Sequence, residues 1–264
     1  MPLSAGSTEV DAVVFDLDDV LVPFHTLAGW QWAWRPQGPA LGERRVQAAI
    51  RRSLHAWDKR RWQGLTGRAP PADIAALDAH LAATLAAIAG HALPPEESAA
   101  VVRRILRPAG EIERYADVLP ALGRLRERQI AFGAVTPLPT ESAQWLLRRT
   151  GLAAVPLLAS GAAGAPTVPD RAVWRTVVER LGTAAERTAF VGDLFWSDVR
   201  AAHRAGLAAF LLDRHDAWPH VAAGRMRSLN DLEATIARGP ASPAADGGSP
   251  SDEPTAGGSN GERI

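Results

Sequence analysis

The stretch VVFDLDDVLV, residues 13–22, begins as an apolar run and then places three aspartates within four positions. A short apolar run predicts a buried strand, and buried carboxylates cost free energy unless something neutralises them. Because residues i and i+2 of an extended chain point the same way, Asp16 and Asp18 are expected to project together from the end of this strand. The stretch therefore predicts a strand that ends in a charged site.

Beyond Tyr115 the sequence alternates between helix-like and strand-like segments, starting with the helical DVLPALGRLRERQ and the apolar IAFGAVT. Short strands separated by helices of this length favour an α/β fold, a doubly wound parallel sheet with helices on both faces. Ligands of such sheets bind beyond the carboxyl ends of the strands. The polar residues expected there are Asp16, Thr136 and Asp193, with Asp198 one predicted helical turn after Asp193.

Residues 22–115 interrupt this alternation with helical periodicity alone, as in ALGERRVQAAIRRSLHAWDKRRWQGL. We expect an all-helical cap subdomain that joins the sheet near residues 20–24 and 112–118. This segment holds 13 Lys and Arg against 8 Asp and Glu, a net charge of +5, and the rest of the chain carries −5. Either the paired arginines solvate a helix face, or a basic lid covers an acidic pocket and favours an anionic substrate.

The remaining domain boundaries follow from composition. Residues 10–21 and 116–238 are predicted to form the α/β core, and residues 1–9 a disordered N-terminus. Residues 239–264 are rich in Gly, Pro, Ala and Ser and hold almost no large apolar residue. Such a segment cannot bury enough surface to offset the entropy of ordering it, so a disordered tail is expected.

Composition also narrows the function. The 264 residues include no cysteine, which excludes disulfides, thiolate catalysis and cysteine-bound metals. The zero formal charge gives no support for nucleic acid as a partner, and no apolar run approaches the roughly 20 residues of a membrane span. Because the start of the chain does not resemble a secretory signal, a cytoplasmic location is expected. The oligomeric state is not indicated.

If the strands that end in aspartates are neighbours, the carboxylates of Asp16, Asp18, Asp193 and Asp198 converge on one crevice. Carboxylates that lie so close to one another cannot all stay ionised unless a cation binds among them. A site built only of oxygen ligands favours Mg²⁺, which prefers a few carboxylates together with water and a substrate phosphate. The alternative is that these aspartates are helix caps and turn formers.

These motifs resemble those of the haloacid dehalogenase-like (HAD-like) hydrolase superfamily. DLDDVL is similar to its first motif, AVT ending in Thr136 to its second, and VGDLFWSD to its fourth. The resemblance extends from residue 10 to about residue 235. It implies a Rossmannoid core with a helical cap inserted after the first strand, and a Mg²⁺-dependent phosphatase of a small phosphorylated metabolite.

The resemblance also implies a role for each motif residue. Asp16 is the expected nucleophile, forming an aspartyl-phosphate, and Asp18 the general acid that later activates water. Thr136 is expected to bind a phosphoryl oxygen. The expected metal ligands are the carboxylates of Asp16 and Asp193 together with the backbone carbonyl of Asp18, and Asp198 is either a further ligand or a residue that orients one.

One motif departs from the superfamily pattern. Its third motif is a lysine that pairs with the nucleophile and the phosphoryl group, and here Val168 occupies that position. Loss of such a buried charge partner typically costs ~3–5 kcal/mol. Arg171, three residues on, is a candidate phosphate-binding replacement, or it is a solvent-facing helix residue. Without a replacement, the chain is a catalytically impaired relative that binds a ligand or partner.

Other functions of this fold agree less well with the motifs. The superfamily's dehalogenases and phosphonatases replace the second aspartate of the first motif, so the intact Asp18 argues against them, although Lys59 lies in the insertion where phosphonatases use a lysine. A phospho-acceptor signalling module fits poorly with a long insertion and no motif lysine. Trp30, Trp32 and Trp34 alternate after the first motif and either line a substrate cavity or belong to the core.

Overall fold

The computed structural model describes residues 3–5, 8–23, 58–59, 113–161, 171–214 and 216–238. Most of the predicted cap lies outside these ranges, as do the tail 239–264, Val168 and the tryptophans at positions 30, 32 and 34. Within the part of the chain that is described, no helix is both long and apolar enough to cross a membrane.

The described residues form eight strands, which are β1 (Leu3–Ala5), β2 (Thr8–Val10), β3 (Ala12–Asp16), β4 (Ala131–Val135), β5 (Leu157–Ala159), β6 (Thr188–Gly192), β7 (Ala208–Leu212) and β8 (Arg225–Met226). Besides the helical residues 58–59, they form the helices α1 (Val118–Glu127), α2 (Thr140–Arg149), α3 (Arg171–Leu181), α4 (Arg200–Arg204) and α5 (Leu232–Arg238). A π-helical turn, Phe195–Val199, leads directly into α4, and short 3₁₀ turns occupy Ala185–Arg187 and Leu229–Asp231.

Strands β3 to β8 form one sheet in the order β5-β4-β3-β6-β7-β8, with every neighbouring pair parallel. The predicted α/β class with a parallel sheet is therefore confirmed. From β3 the chain first adds β4 and β5 on one side, then returns to add β6, β7 and β8 on the other. The sheet consequently has its topological switch point at β3, where open α/β sheets bind ligands.

Both faces of the sheet are covered, as a doubly wound fold requires. Val13 and Phe15 of β3 belong to a buried cluster with Leu122 of α1, and this cluster also includes side chains of α2 and α5. Val14 points to the opposite cluster, where it joins Trp174 of α3 and side chains of α4. Because successive strand residues alternate between faces, one apolar run supplies both layers of the core.

The N-terminal prediction was wrong in part. Within the segment 1–9 that the sequence predicts to be disordered, β1 pairs antiparallel with β2, and Leu3 lies opposite Val10. Strand β1 also packs against α5. The backbone hydrogen bonds of the pair and its contact with a helix from the far end of the sequence supply the ordering that composition alone does not reveal.

Candidate metal and active site

Three aspartates meet at the carboxyl ends of the central strands. Asp16 is the last residue of β3, Asp193 directly follows β6, and Asp198 lies in the π-helical turn. One carboxylate oxygen of each lies within 4.8 Å of the others. Asp16 and Asp198 are buried, and Asp193 is half-buried. The spacing allows one cation to contact all three carboxylates.

The backbone of the two loops orients these carboxylates. The Leu17 N–H donates to Asp16 Oδ1 at 2.9 Å, which holds that side chain at the end of its strand. The Leu194 N–H donates to Asp198 Oδ2 at 3.3 Å, and the Ser197 hydroxyl donates to Asp198 Oδ1 at 3.4 Å. These two long hydrogen bonds come from Leu194, directly before the π-helical turn, and from Ser197 within it, so the position of the Asp198 carboxylate depends in part on the conformation of that turn.

Gly192 sets how closely the π-helical turn approaches β6. A Cβ at this position would lie 2.8 Å from the Asp198 Cβ and 2.8 Å from the ring of Phe190. Real Cβ atoms do not approach other atoms so closely, so any larger residue would have to displace Asp198 or the ring. The glycine therefore brings the Asp198 carboxylate within reach of Asp193.

The electrostatics of the site disfavour three ionised carboxylates. The pKa of the Asp193 carboxyl is raised well above its usual range, first by burial and then by the charges of Asp198, Asp19, Asp16 and Asp58. A bound cation would reverse this penalty, because opposite charge favours the ionised form. The site thus has the ligand chemistry and the charge that a hard divalent cation requires.

Asp18 and Thr136 form a second part of the same region. Thr136 directly follows β4 and is fully buried. Its hydroxyl donates to Asp18 Oδ2 at 3.2 Å and accepts from the Leu138 N–H at 3.1 Å. The Asp18 side chain does not belong to the trio of Asp16, Asp193 and Asp198. The structure therefore separates one carboxylate from the three that lie together.

A cluster of polar contacts joins the two points where the inserted segment leaves and re-enters the core. The Tyr115 N–H donates to the Leu21 carbonyl at 3.2 Å, and its hydroxyl donates to Asp19 Oδ1 at 3.2 Å. Arg214 donates to the Val20 carbonyl at 2.9 Å and lies 3.9 Å from the centroid of the Tyr115 ring. Burial and the neighbouring Asp19 raise the pKa of Tyr115, which keeps its hydroxyl protonated as a donor.

Sequence reasoning missed Asp213, which directly follows β7. Its carboxylate accepts from the backbone N–H groups of Ala217 and Trp218 at 2.6 and 2.9 Å, and from Arg225 Nε at 2.9 Å. The Trp218 indole in turn donates to the Asp193 carbonyl at 3.2 Å. The signal was present, because AAFLLD ends its strand in an aspartate just as VVFD does.

Sequence reasoning also missed Asp58, which is fully buried. It accepts from the backbone N–H groups of Trp196 and Ser197, both at 2.7 Å. No local pattern marks this residue, because its partners lie about 140 positions away in the chain.

The candidate replacement for the motif lysine remains a prediction. Arg171 is the first residue of α3, as the sequence suggests, but its side chain and Val168 both lie outside the described residues.

An α/β protein with an acidic site at the switch point of a parallel sheet is the class that this geometry defines. The sequence profile of haloacid dehalogenase-like hydrolases matches residues 10–206. No curated protein sequence matches the chain significantly. The chain belongs to the haloacid dehalogenase-like hydrolase family, and the resemblance seen in its motifs is confirmed.

Solved structures share the fold at low sequence identity. The HAD-hydrolase YfnB from Bacillus subtilis, crystallised with magnesium, is 18% identical with a TM-score of 0.60, and the match covers 86% of this chain and 98% of that one. A predicted phosphoglycolate phosphatase from Haemophilus somnus is 19% identical with a TM-score of 0.58 and the same coverage. The L-2-haloacid dehalogenase from Xanthobacter autotrophicus is 18% identical with a TM-score of 0.58, also over 86% and 98% of the two chains.

Proposed function

We propose that this hydrolase is a Mg²⁺-dependent phosphatase that acts on a small phosphorylated substrate through an aspartyl-phosphate intermediate. The observation that carries the proposal is that the carboxylates of the site fall into two groups. Asp16, Asp193 and Asp198 lie together, whereas Asp18 lies against the Thr136 hydroxyl. Phosphoryl transfer by an aspartate needs both parts, since the charge of the substrate must be offset and the leaving oxygen must receive a proton.

Asp16, Asp193 and Asp198 are the residues that would hold the metal, with the Asp18 backbone carbonyl as a further ligand. When bound, Mg²⁺ would offset the negative charge that the carboxylates and the phosphate bring together. The fit rests on hard oxygen donors in a small space and on the raised pKa of Asp193, a carboxyl whose ionised form the bare protein disfavours.

In the first step, an Asp16 carboxylate oxygen attacks phosphorus, and the bond from phosphorus to the leaving oxygen breaks. Asp18 gives its proton to that oxygen, so an alcohol departs and Asp18 becomes a carboxylate. In the second step, Asp18 takes a proton from water, which attacks the phosphorus of the aspartyl-phosphate and releases inorganic phosphate and free Asp16. The Thr136 hydroxyl donates to Asp18 in this structure, and we propose that it turns to a phosphoryl oxygen when substrate binds.

The first test compares two substrates. Parent protein should release phosphate from p-nitrophenyl phosphate with Mg²⁺ and lose this activity in EDTA. Chloride release from 2-chloropropionate, measured in parallel, should stay at background. Chloride release without phosphate release would replace this proposal with the dehalogenase function found among the structural neighbours.

The second test addresses the role of Asp18. Asp18→Asn should slow an alkyl phosphate more than p-nitrophenyl phosphate, because the nitrophenolate leaves without needing a proton. General acid catalysis of this kind contributes about 10²- to 10⁴-fold. With p-nitrophenyl phosphate, the variant should show a burst of one nitrophenolate per protein followed by slow turnover, since Asp18 no longer activates water. Equal slowing of both substrates without a burst would contradict the assigned role.

The alternative is a catalytically impaired relative, and the observation that favours it is Val168 in place of the motif lysine. An impaired protein would bind Mg²⁺ but release no phosphate. In that event Val168→Lys should raise phosphatase activity, because it restores a positive charge to an otherwise assembled site. Val168→Leu is the matched control and should restore nothing. A Val168→Lys variant that gains nothing, in an inactive parent, would defeat the hydrolase proposal.

A further inference from the structure

The π-helical turn Phe195–Val199 carries the proposed metal ligand Asp198, and a residue of the inserted segment holds the start of this turn. Asp58 belongs to the stretch between β3 and α1 and is fully buried. Its Oδ2 accepts from the Trp196 N–H and its Oδ1 from the Ser197 N–H, both at 2.7 Å. We propose that Asp58 is a positioning residue for Asp198 and thereby raises the affinity of the proposed metal site for Mg²⁺.

The backbone of the turn explains why it needs this support. The N–H groups of Asp198 and Val199 both donate to the Leu194 carbonyl, at 3.2 and 3.1 Å. The N–H groups that open a helical turn have no carbonyl partner within it. Asp58 accepts from two of them, each with its own oxygen, and hydrogen bonds to a carboxylate are roughly twice as strong as neutral ones. A single side chain therefore fixes the start of the turn.

Ser197 connects Asp58 with the proposed metal ligand. Its N–H donates to Asp58, and its hydroxyl donates to Asp198 Oδ1 at 3.4 Å. A further hydrogen bond to Asp198, from the Leu194 N–H, is also long at 3.3 Å. The hydrogen bonds of the turn to Asp58, at 2.7 Å, are thus shorter than these two hydrogen bonds to Asp198. If Asp58 is removed, Ser197 becomes free to shift, and the Asp198 carboxylate follows.

The contact that Asp58 makes with the turn is not isolated, because two cations lie near the Trp196 ring. Lys59, exposed, has its Nζ 5.9 Å from the centroid of the Trp196 ring. The Arg200 guanidinium lies 4.6 Å from the same ring. Of these described contacts with the turn, that of Asp58 is buried and that of Lys59 is peripheral. Since binding free energies are reciprocal, an Asp58 that orders the metal site must itself be held more tightly by the turn when the metal is bound.

The inference rests on the proposed magnesium site, and its test uses the full chain. Isothermal titration of the parent, Asp58→Ala and Asp58→Asn with MgCl₂ gives the dissociation constants. Groups that orient metal ligands from outside the coordination sphere change metal affinity by about 10- to 100-fold when removed. We expect an increase of that size for Asp58→Ala and a smaller one for Asp58→Asn, which keeps the volume and one acceptor oxygen. If Asp58→Ala does not fold, Asp58→Asn carries the test.

A second measurement separates positioning from the mere loss of a negative charge. Hydrogen exchange in EDTA should be faster at the amides of Trp196 and Ser197 in Asp58→Ala, by roughly tenfold or more, because two charge-assisted bonds are lost. Lys59→Ala, the matched control, removes the adjacent charge and should leave both Mg²⁺ affinity and these amides near the parent values. If Asp58 instead acts only through its negative charge, Lys59→Ala should tighten Mg²⁺ binding. The exchange rates of the Trp196 and Ser197 amides should then be unchanged in Asp58→Ala.

The outcomes distinguish the two proposals. A parent protein that fails to bind Mg²⁺ would show that the proposed magnesium site is wrong, and the inference would fall with it. A parent that binds Mg²⁺, together with an Asp58→Ala variant whose affinity stays within about twofold, would overturn the positioning role alone. Faster amide exchange with unchanged affinity would also overturn it, since the turn would then be ordered without any effect on the metal site.

Discussion

Asp117 and Asp193 are both withdrawn from solvent, yet their carboxyl groups titrate in opposite directions. Burial alone would raise the pKa of Asp117, but hydrogen bonds from Arg214 and Ser228 lower it below the usual range. The pKa of Asp193 is raised well above that range by burial and by four neighbouring carboxylates. The fold itself neutralises the first carboxylate, whereas the second depends on a cation for its ionised form.

The contacts explain this difference. The Asp117 carboxylate accepts from Arg214 at 2.8 and 3.0 Å, from the Ser228 hydroxyl at 2.6 Å and from the Leu229 N–H at 2.8 Å. It therefore fastens the start of α1 to the loop after β7 and to the turn before α5. The carboxylates around Asp193 are arranged for a ligand, at a cost to the stability of the bare protein.

The largest effect is expected at Asp16. Asp16→Asn keeps the volume but removes the nucleophile, so phosphate release should fall by at least about 10³-fold. Steady-state hydrolysis of p-nitrophenyl phosphate in saturating Mg²⁺ measures the loss. Asp11→Asn is the matched control, because Asp11 directly precedes β3 and pairs with Arg187 at the surface. Turnover by Asp16→Asn at the parental rate would exclude the aspartyl-phosphate mechanism.

The next largest effect is on stability. Asp117→Ala leaves the Arg214 guanidinium, whose side chain is 10% exposed, without its carboxylate. Removing one partner of a buried pair costs about 3 kcal/mol or more. Urea unfolding in EDTA and in Mg²⁺ should show the same loss in both buffers. Asp117→Ala combined with Arg214→Met should lose less than the sum of the single variants, and strict additivity would show that the two groups are not coupled.

The third effect is a gain in stability that depends on bound Mg²⁺. With free Mg²⁺ at 100 times the dissociation constant, the parent should gain about 2.7 kcal/mol of unfolding free energy. Asp193→Asn removes a ligand and also relieves the repulsion around it. In EDTA this variant should be more stable than the parent, and in Mg²⁺ it should gain little. Thermal unfolding in the two buffers measures both changes, and an Asp193→Asn variant less stable than the parent in EDTA would contradict the proposed repulsion.

The smallest effect is the dependence of stability on pH, and its sign differs between Asp117 and Asp193. The folded pKa of Asp117 is lowered, so its contribution is present above the unfolded pKa of about 3.9 and is lost as pH falls through the folded pKa. Asp193, with a raised folded pKa, instead gains stability as pH falls through that pKa. Denaturation in EDTA should show a steeper acid decline for Asp193→Asn between pH 7 and about pH 4, and a flatter one for Asp117→Asn below about pH 4.

The sequence predicted the sheet because its strands and helices are set by local patterns. Apolar runs ending in an aspartate mark β3 and β6, and glycines at positions 151, 182 and 206 follow their helices in the left-handed region that ends a helix. Because parallel strands align their carboxyl ends, two strand ends were enough to bring Asp16 and Asp193 together. The ordering of β1 was missed, because β1 pairs with the adjacent β2 and also packs against α5, which lies far away in the sequence.

Long-range contacts could not be predicted from the sequence. Asp58 is one carboxylate among several in a segment that the sequence predicts to be helical, and nothing near it indicates that it accepts from the N–H groups of Trp196 and Ser197. Arg214 is similarly one of 28 arginines, and only the fold shows that it contacts Asp117. Asp213 is a different case, because a strand-terminal aspartate was visible. Periodicity assigns a residue to an element but does not select its partner.

The contact between Tyr115 and Leu21 has a consequence for the length of the inserted segment. The Tyr115 N–H lies 3.2 Å from the Leu21 carbonyl, and Arg214 bonds to Val20 beside them. The core therefore holds the residues that flank positions 24–112 side by side. Closing that segment into a loop costs conformational entropy, which the contacts of the core must offset. This cost rises only as the logarithm of length, by about 0.6 kcal/mol for each doubling. Segments of very different size can therefore be accommodated at this junction at almost equal entropic cost, while the carboxylates at the strand ends keep their arrangement.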